Sequence, residues 1–110
     1  MFDRHQYLNK IELVGVVGNI GKTKVADDEC ARISVATCYA YKDKEGNAVI
    51  ETTWHNCVAW ASKHPIVSEL SKGDKVHIIG RLRAMRYTDA EGNERTTYET
   101  IVGNLEKVTD

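Results

Sequence analysis

Cysteine is scarce and odd in number. Cys30, Cys38 and Cys57 are the three in 110 residues, and no C-x-x-C pair occurs among them. That argues against a disulfide framework or a zinc site and fits a reducing cytoplasm. Each cysteine reads as a small buried hydrophobe. No apolar run approaches the roughly 18 residues of a membrane span. The N-terminus lacks the apolar core of a signal peptide, and residues 1–7 are too short and mixed for a transit peptide. A surplus of one charge is also missing. The formal net charge is -1, so no overall basic balance advertises an anionic partner, although one patch can be basic in a neutral whole. Repeats, linkers and low-complexity stretches are absent as well. What is there, 42% hydrophobic and 28% charged, suits one soluble domain with one core over residues 1–110.

The stretch from Glu51 to Ala61, E-T-T-W-H-N-C-V-A-W-A, is where the chain is most informative. It reads as part of a long strand, Val49 to Ala61, rich in Thr, Trp and Val. Trp54 and Trp60 are the only tryptophans, and their even spacing puts both on one face. Tyr7 to Gly18 reads as a first strand with apolar residues on both parities, as in a curled sheet, and Gly15 and Gly18 suit a bend or bulge. Asn19 to Cys30 is polar and reads as a loop. Its G-N-I-G-K-T string lacks the spacing of a phosphate-binding loop. Ala31 to Lys42 is a second strand, Lys75 to Thr88 a fourth and Glu94 to Val108 a fifth. D-K-E-G-N at Asp43 to Asn47 and D-A-E-G-N at Asp89 to Asn93 are near-identical hairpin turns. Ser62 to Lys72 is the helix candidate, with Pro65 in its first turn and Gly73 ending it.

The order strand, strand, strand, helix, strand, strand predicts an all-β fold. It is a five-stranded closed barrel of the oligonucleotide/oligosaccharide-binding (OB) type, with one short helix between strands three and four and two long protruding hairpins.

Catalytic chemistry is hard to find. Cys57 and His55 share a strand face, but nothing orients a nucleophile and base. Paired carboxylates occur only in Asp27-Asp28-Glu29 and in turns. His5, His55, His64 and His77 lack metal-ligand spacing. The sequence therefore predicts no enzyme, no metal and no cofactor. Rings interleaved with cations are the clearer pattern. Arg81, Arg83 and Tyr87 share a face of the fourth strand, with Arg86 on the opposite parity. Tyr39 and Tyr41 end the second strand just before Lys42 and Lys44. Aromatics stack on any nucleobase and cations contact phosphates. The plainer reading, rings as core and arginines as solubilisers, is weak for Tyr87, whose parity partners are charged. It is moderate for Trp54 and Trp60, which share parity with Val58. For Tyr41 it is serious: Ile33 and Val35 share its parity, so it faces solvent only if a bulge shifts the register.

Several strings resemble the bacterial single-stranded DNA-binding protein (SSB) family. They are N-K-I-E-L-V-G at Asn9 to Gly15, A-R-I-S-V-A-T at Ala31 to Thr37, Y-K-D-K at Tyr41 to Lys44, T-x-W-H at Thr52 to His55, K-G-D-K-V-H-I-I-G-R-L at Lys72 to Leu82, and R-Y-T-D-A-E-G-N-E-R-T-T-Y-E at Arg86 to Glu99. They follow the family's order over roughly Leu8 to Val108. The resemblance implies an OB barrel assembling into homotetramers. It also implies DNA-stacking aromatics at Tyr41, Trp54, Trp60 and Tyr87, the second and third being tryptophan and the others tyrosine here. His55 matches a position that looks like a subunit-interface residue. The family continues into a flexible linker and an acidic tail that recruits partners, whereas this chain ends at Val108-Thr109-Asp110, so no tail-mediated recruitment is expected.

The expectation is a cytoplasmic, sequence-independent binder and protector of single-stranded DNA in replication, recombination and repair. Trp54, Trp60, Tyr87, Tyr41, Arg81, Arg83, Arg86, Lys42 and Lys44 would contact DNA, while His55, Val14 and Val16 would contact a second copy. Val14 and Val16 leave apolar surface opposite the core parity of Leu13 and Val17. Two alternatives are a primosomal replication protein N-like accessory and an OB domain used only for protein assembly, the latter with both tryptophans buried at subunit contacts.

Overall fold

The computed structural model describes residues 7–109; His5 and Asp110 lie outside the described residues. The chain runs β1 (Ile11–Val25), β2 (Asp28–Lys42), β3 (Ala48–Trp60), a 3-10 helix (Pro65–Glu69), β4 (Lys75–Thr88) and β5 (Glu94–Lys107). The strands close into a barrel in the order β1-β2-β3-β5-β4. β1 pairs antiparallel with both β2 and β4, and β3 meets β5 in parallel. This is the predicted OB barrel.

Alternation explains the core. Leu13 and Val17 of β1, Ile33 and Val35 of β2, Cys57 and Ala59 of β3, and Val76 and Ile78 of β4 point inward and pack together. Two slips of one residue bend the sheet. Val17 faces Val35 and Ile20 faces Ile33, so β1 carries one extra residue at Gly18–Asn19, where the sequence had suggested a bulge. The freed Asn19 N–H donates to Ser34 Oγ at 2.8 Å. On β5, Asn104 faces Ile79 and Val102 faces Gly80. The extra residue, Gly103, lets Val102 and Leu105 both enter the core although their parities differ.

Two sequence expectations need correction. The polar stretch 19–30 is not a loop: β1 and β2 stay paired out to Val25 and Asp28, joined through Ala26 and Asp27, with Ala26 in the left-handed region at φ 56. The helix is five residues of 3-10 structure, not eleven of α-helix. Pro65 opens it as expected, Val67 plugs the barrel and Leu70, already extended, follows into the core.

The barrel is shorter than its strands. β2 and β3 stay paired to Lys42 and Ala48, whereas β1 leaves β2 at Ala36 and β4 at Gly80. The remainders of β2–β3 and β4–β5 are two-stranded arms open on both faces. Leu82 and Ala84, on the core parity of β4, are therefore exposed. The arm tips are twins. Asp43 Oδ1 accepts the N–H groups of Glu45 and Asn47, and Asp89 Oδ1 accepts those of Glu91 and Asn93. Gly46 and Gly92 both take φ 84, a conformation glycine adopts without a Cβ clash.

Candidate nucleic-acid interface

Cross-strand register decides which rings share a face. Ala36 pairs with Trp54, Arg32 with Val58 and Cys30 with Trp60, while the core residues Ile33 and Val35 pair with Cys57 and His55. Both tryptophans thus look away from the core. Trp54 is 58% exposed, and its ring lies against Gly18 at the β1 bulge. Trp60 is half-buried. Val58 and Cys30 share this outer face and are buried outside the core cluster.

The outer face continues onto β5 and β4. Val58 pairs with Ile101, Ile101 with Arg81, Glu99 with Arg83, Thr97 with Met85 and Arg95 with Tyr87. A three-residue ion cluster crosses it. Glu99 is 6% exposed; its Oε2 accepts from Arg32 Nη1 at 3.0 Å and its Oε1 accepts from Arg83 Nη2. Burial pushes the Glu99 carboxyl up, but the hydrogen bonds and charges of Arg83 and Arg32 outweigh it and hold the group below its ordinary value. Beside the cluster, a cleft of about 380 Å³ is lined by Arg32, Ser34, Asn56, Met85, Tyr98 and Glu99, among others.

The structure therefore places Trp54, Trp60, Arg81, Arg83 and Tyr87 on one face. Arg86, facing Thr96, takes the other face of its arm. Lys42 faces Ala48 on the tryptophan parity of the β2–β3 arm, and Lys44 sits in its exposed turn. Tyr41 pairs with Val49 on the core parity and is nonetheless exposed, without a bulge in that pairing, because the arm outruns the barrel. Its ring centroid is 6.1 Å from that of Tyr39. Tyr41 and Trp54 lie on opposite faces of the sheet.

The proposed interface residues do not share a face. Val14 and Val16 stand on the outer side of β1, exposed by 50% and 44%, and Val16 leads through Ala36 to Trp54 across three strands. His55 points the other way, beside Val35, with Nε2 2.8 Å from Thr37 Oγ1. The thiol at Cys57 is pushed up to about 11 by burial, so it stays protonated at neutral pH. Among the described residues, no three His, Cys, Asp or Glu side chains gather as metal ligands.

Sequence reasoning missed Arg32 and Glu99. Both lie inside strings quoted above, and Arg32 carries the parity that pairs with the tryptophan side. Nothing in the sequence alone pairs residue 32 with residue 99.

A family model described as "Single-strand binding protein family" matches residues 6–108. The chain is 36% identical over 103 residues to single-stranded DNA-binding protein 1 of Xylella fastidiosa (strain 9a5c), covering 90% of this chain and 76% of that protein. It is 35% identical to the single-stranded DNA-binding protein of Xanthomonas campestris pv. campestris, covering 90% of this chain but only 59% of that one. Its fold superposes on a Plasmodium falciparum SSB solved in complex with ssDNA, with a TM-score of 0.84 at 24% identity, covering 94% of this chain and 97% of the other.

Proposed function

The chain belongs to the single-strand binding protein family, and from that premise we propose that it binds single-stranded DNA without regard to sequence and protects it during replication, recombination and repair. The observation that carries this reading is the outer face: a solvent-facing indole at Trp54 in line with Trp60, beside the guanidiniums of Arg81 and Arg83. Stacking on a ring needs no particular base, and guanidiniums bind the phosphate that every nucleotide carries. Tyr87 extends the face along the β4–β5 arm. Tyr41, Lys42, Lys44 and Arg86 serve a strand that wraps around the arms, since their side chains divide between both faces. The role is binding, not catalysis, and it goes with a cytoplasmic, nucleoid-associated location.

The working unit is an oligomer built on one OB domain per chain, a homotetramer in the manner of the family. Val14 and Val16 supply apolar surface for a second copy to cover, and covering it removes a cost of leaving such groups in water.

The test is a tryptophan-emission titration with oligo-thymidine at several salt concentrations. Quenching that saturates, with affinity falling as salt rises, is the expected result. Unchanged emission together with no gel shift at low salt overturns the reading. Indoles that become shielded on self-association without DNA would favour a purely assembling OB domain instead.

A further inference from the structure

We propose that Arg32 and Arg83, held by the buried carboxylate of Glu99, form a seat for one backbone phosphate of single-stranded DNA between Trp54 and Trp60. The inference rests on the DNA-binding reading and adds a site to it.

Trp54 and Trp60 are six residues apart on one strand, which at a strand's rise separates them by about 20 Å. Bases stacked on the two rings are therefore not neighbours, and the strand joining them passes over Asn56 and Val58. The cross-strand partners of those residues are Ser34 and Arg32. The ion cluster thus sits on the route that the two rings define. Its chemistry suits a phosphodiester. Each guanidinium carries five N–H donors, and each spends one nitrogen on Glu99, leaving donors for a second anion. Arg32 and Arg83 remain substantially exposed while the carboxylate between them is nearly enclosed. Two cations and one anion leave a net charge of +1, which a single phosphodiester neutralises. Glu99 is thereby a positioning residue that also limits the seat to one phosphate. The adjoining cleft gives the attached sugar and base room beside Met85 and Tyr98.

The test uses the full chain and oligo-thymidine, reading the slope of log affinity against log salt. Arg32→Ala takes the cluster from +1 to neutral and should make the slope shallower by about 0.7, the value for one phosphate on a single strand. Arg32→Lys should restore the slope but not the full affinity, because an ammonium lacks the guanidinium fork. Glu99→Gln takes the cluster to +2 and should steepen the slope and tighten binding at low salt. Structural damage would move both variants in the same direction; the proposal requires opposite directions. Should Glu99→Gln fail to fold, the two Arg32 variants decide alone. A wild-type slope in Arg32→Ala overturns the seat while leaving the DNA reading intact, provided Trp54→Ala still weakens binding. A wild-type protein that does not bind oligo-thymidine overturns the reading itself.

Discussion

The Trp54 indole is propped on Gly18: a methyl group built on the glycine would lie 2.5 Å from Cζ3 and 2.9 Å from Cη2 of the ring. Gly18 belongs to the β1 bulge, so a backbone irregularity in one strand sets the posture of a ring two strands away. The ring is the far end of an exposed side chain and can swing. Gly18→Ala should therefore displace the indole with little loss of stability. The expected signature is a shifted Trp54 emission maximum and weaker oligo-thymidine binding at a nearly unchanged melting temperature. Unaltered emission and affinity would show that the ring's posture does not matter.

The two tryptophans should separate in their effects. Trp54→Ala removes a mostly exposed ring and should cost DNA binding roughly 1–3 kcal/mol, the range for a lost stacking partner, with little effect on melting. Trp60 is half-buried beside the enclosed Val58 and Cys30. Trp60→Ala should thus lower both affinity and melting temperature. Titration and thermal melts of the two variants side by side check this. Arg81→Ala, on the same face, should act mainly through the salt slope.

Val14 and Val16 offer a direct probe of assembly. A charge placed on the outer side of β1, as in Val16→Glu, leaves the core parity of Leu13 and Val17 untouched. It should shift the mass measured by light scattering at micromolar concentration from oligomer to monomer while the far-ultraviolet spectrum stays that of the folded barrel. A monomeric wild type under the same conditions would remove the basis of the assignment.

Acid should loosen the outer face. The Glu99 carboxyl is held below its ordinary value of 4.5. A depressed folded value means that its stabilisation is fully present above 4.5 and is lost as pH falls through the lower folded value. Melting temperature should be level from neutral pH to about 5 and then fall. Glu99→Gln should show a smaller fall, with a remainder left to Glu12, Asp28, Asp74 and Asp89, whose carboxyls are also held low by hydrogen bonds. Identical acid profiles for wild type and variant would contradict this.

Much of the barrel could be read from residues because its inward positions alternate and its turns use glycine. Gly46 and Gly92 marked two arm tips, and Gly18 marked the bulge. The distal half of β1 could not be read in this way. Lys22, Thr23 and Lys24 are exposed on both faces of an arm, so no apolar alternation betrays a strand. Its turn uses Ala26, a residue that rarely takes positive φ. Tyr41 shows the same cause acting on the site. Parity assigned it correctly to the core side, but whether that side is covered depends on where the neighbouring strands stop. Arg32 needed one more fact, the approach of β5, which joins residues far apart in sequence.

Between β3 and β5 the barrel is closed by the pairing of Cys57 with Thr100 and of Val58 with Ile101 alone, whereas β2 and β3 are laced along their full length. This is the seam where the closed sheet would unzip first. Backbone amides there should trade their hydrogens for solvent deuterium sooner than those of the β2–β3 ladder. The outer face straddles this seam, with Trp60 and Val58 on one lip and Ile101 and Arg81 on the other. A nucleic-acid strand lying across it would act as a stitch. Deuterium uptake along residues 57–58 and 100–101 should slow when oligo-thymidine is added, tying the barrel's closure to its occupancy.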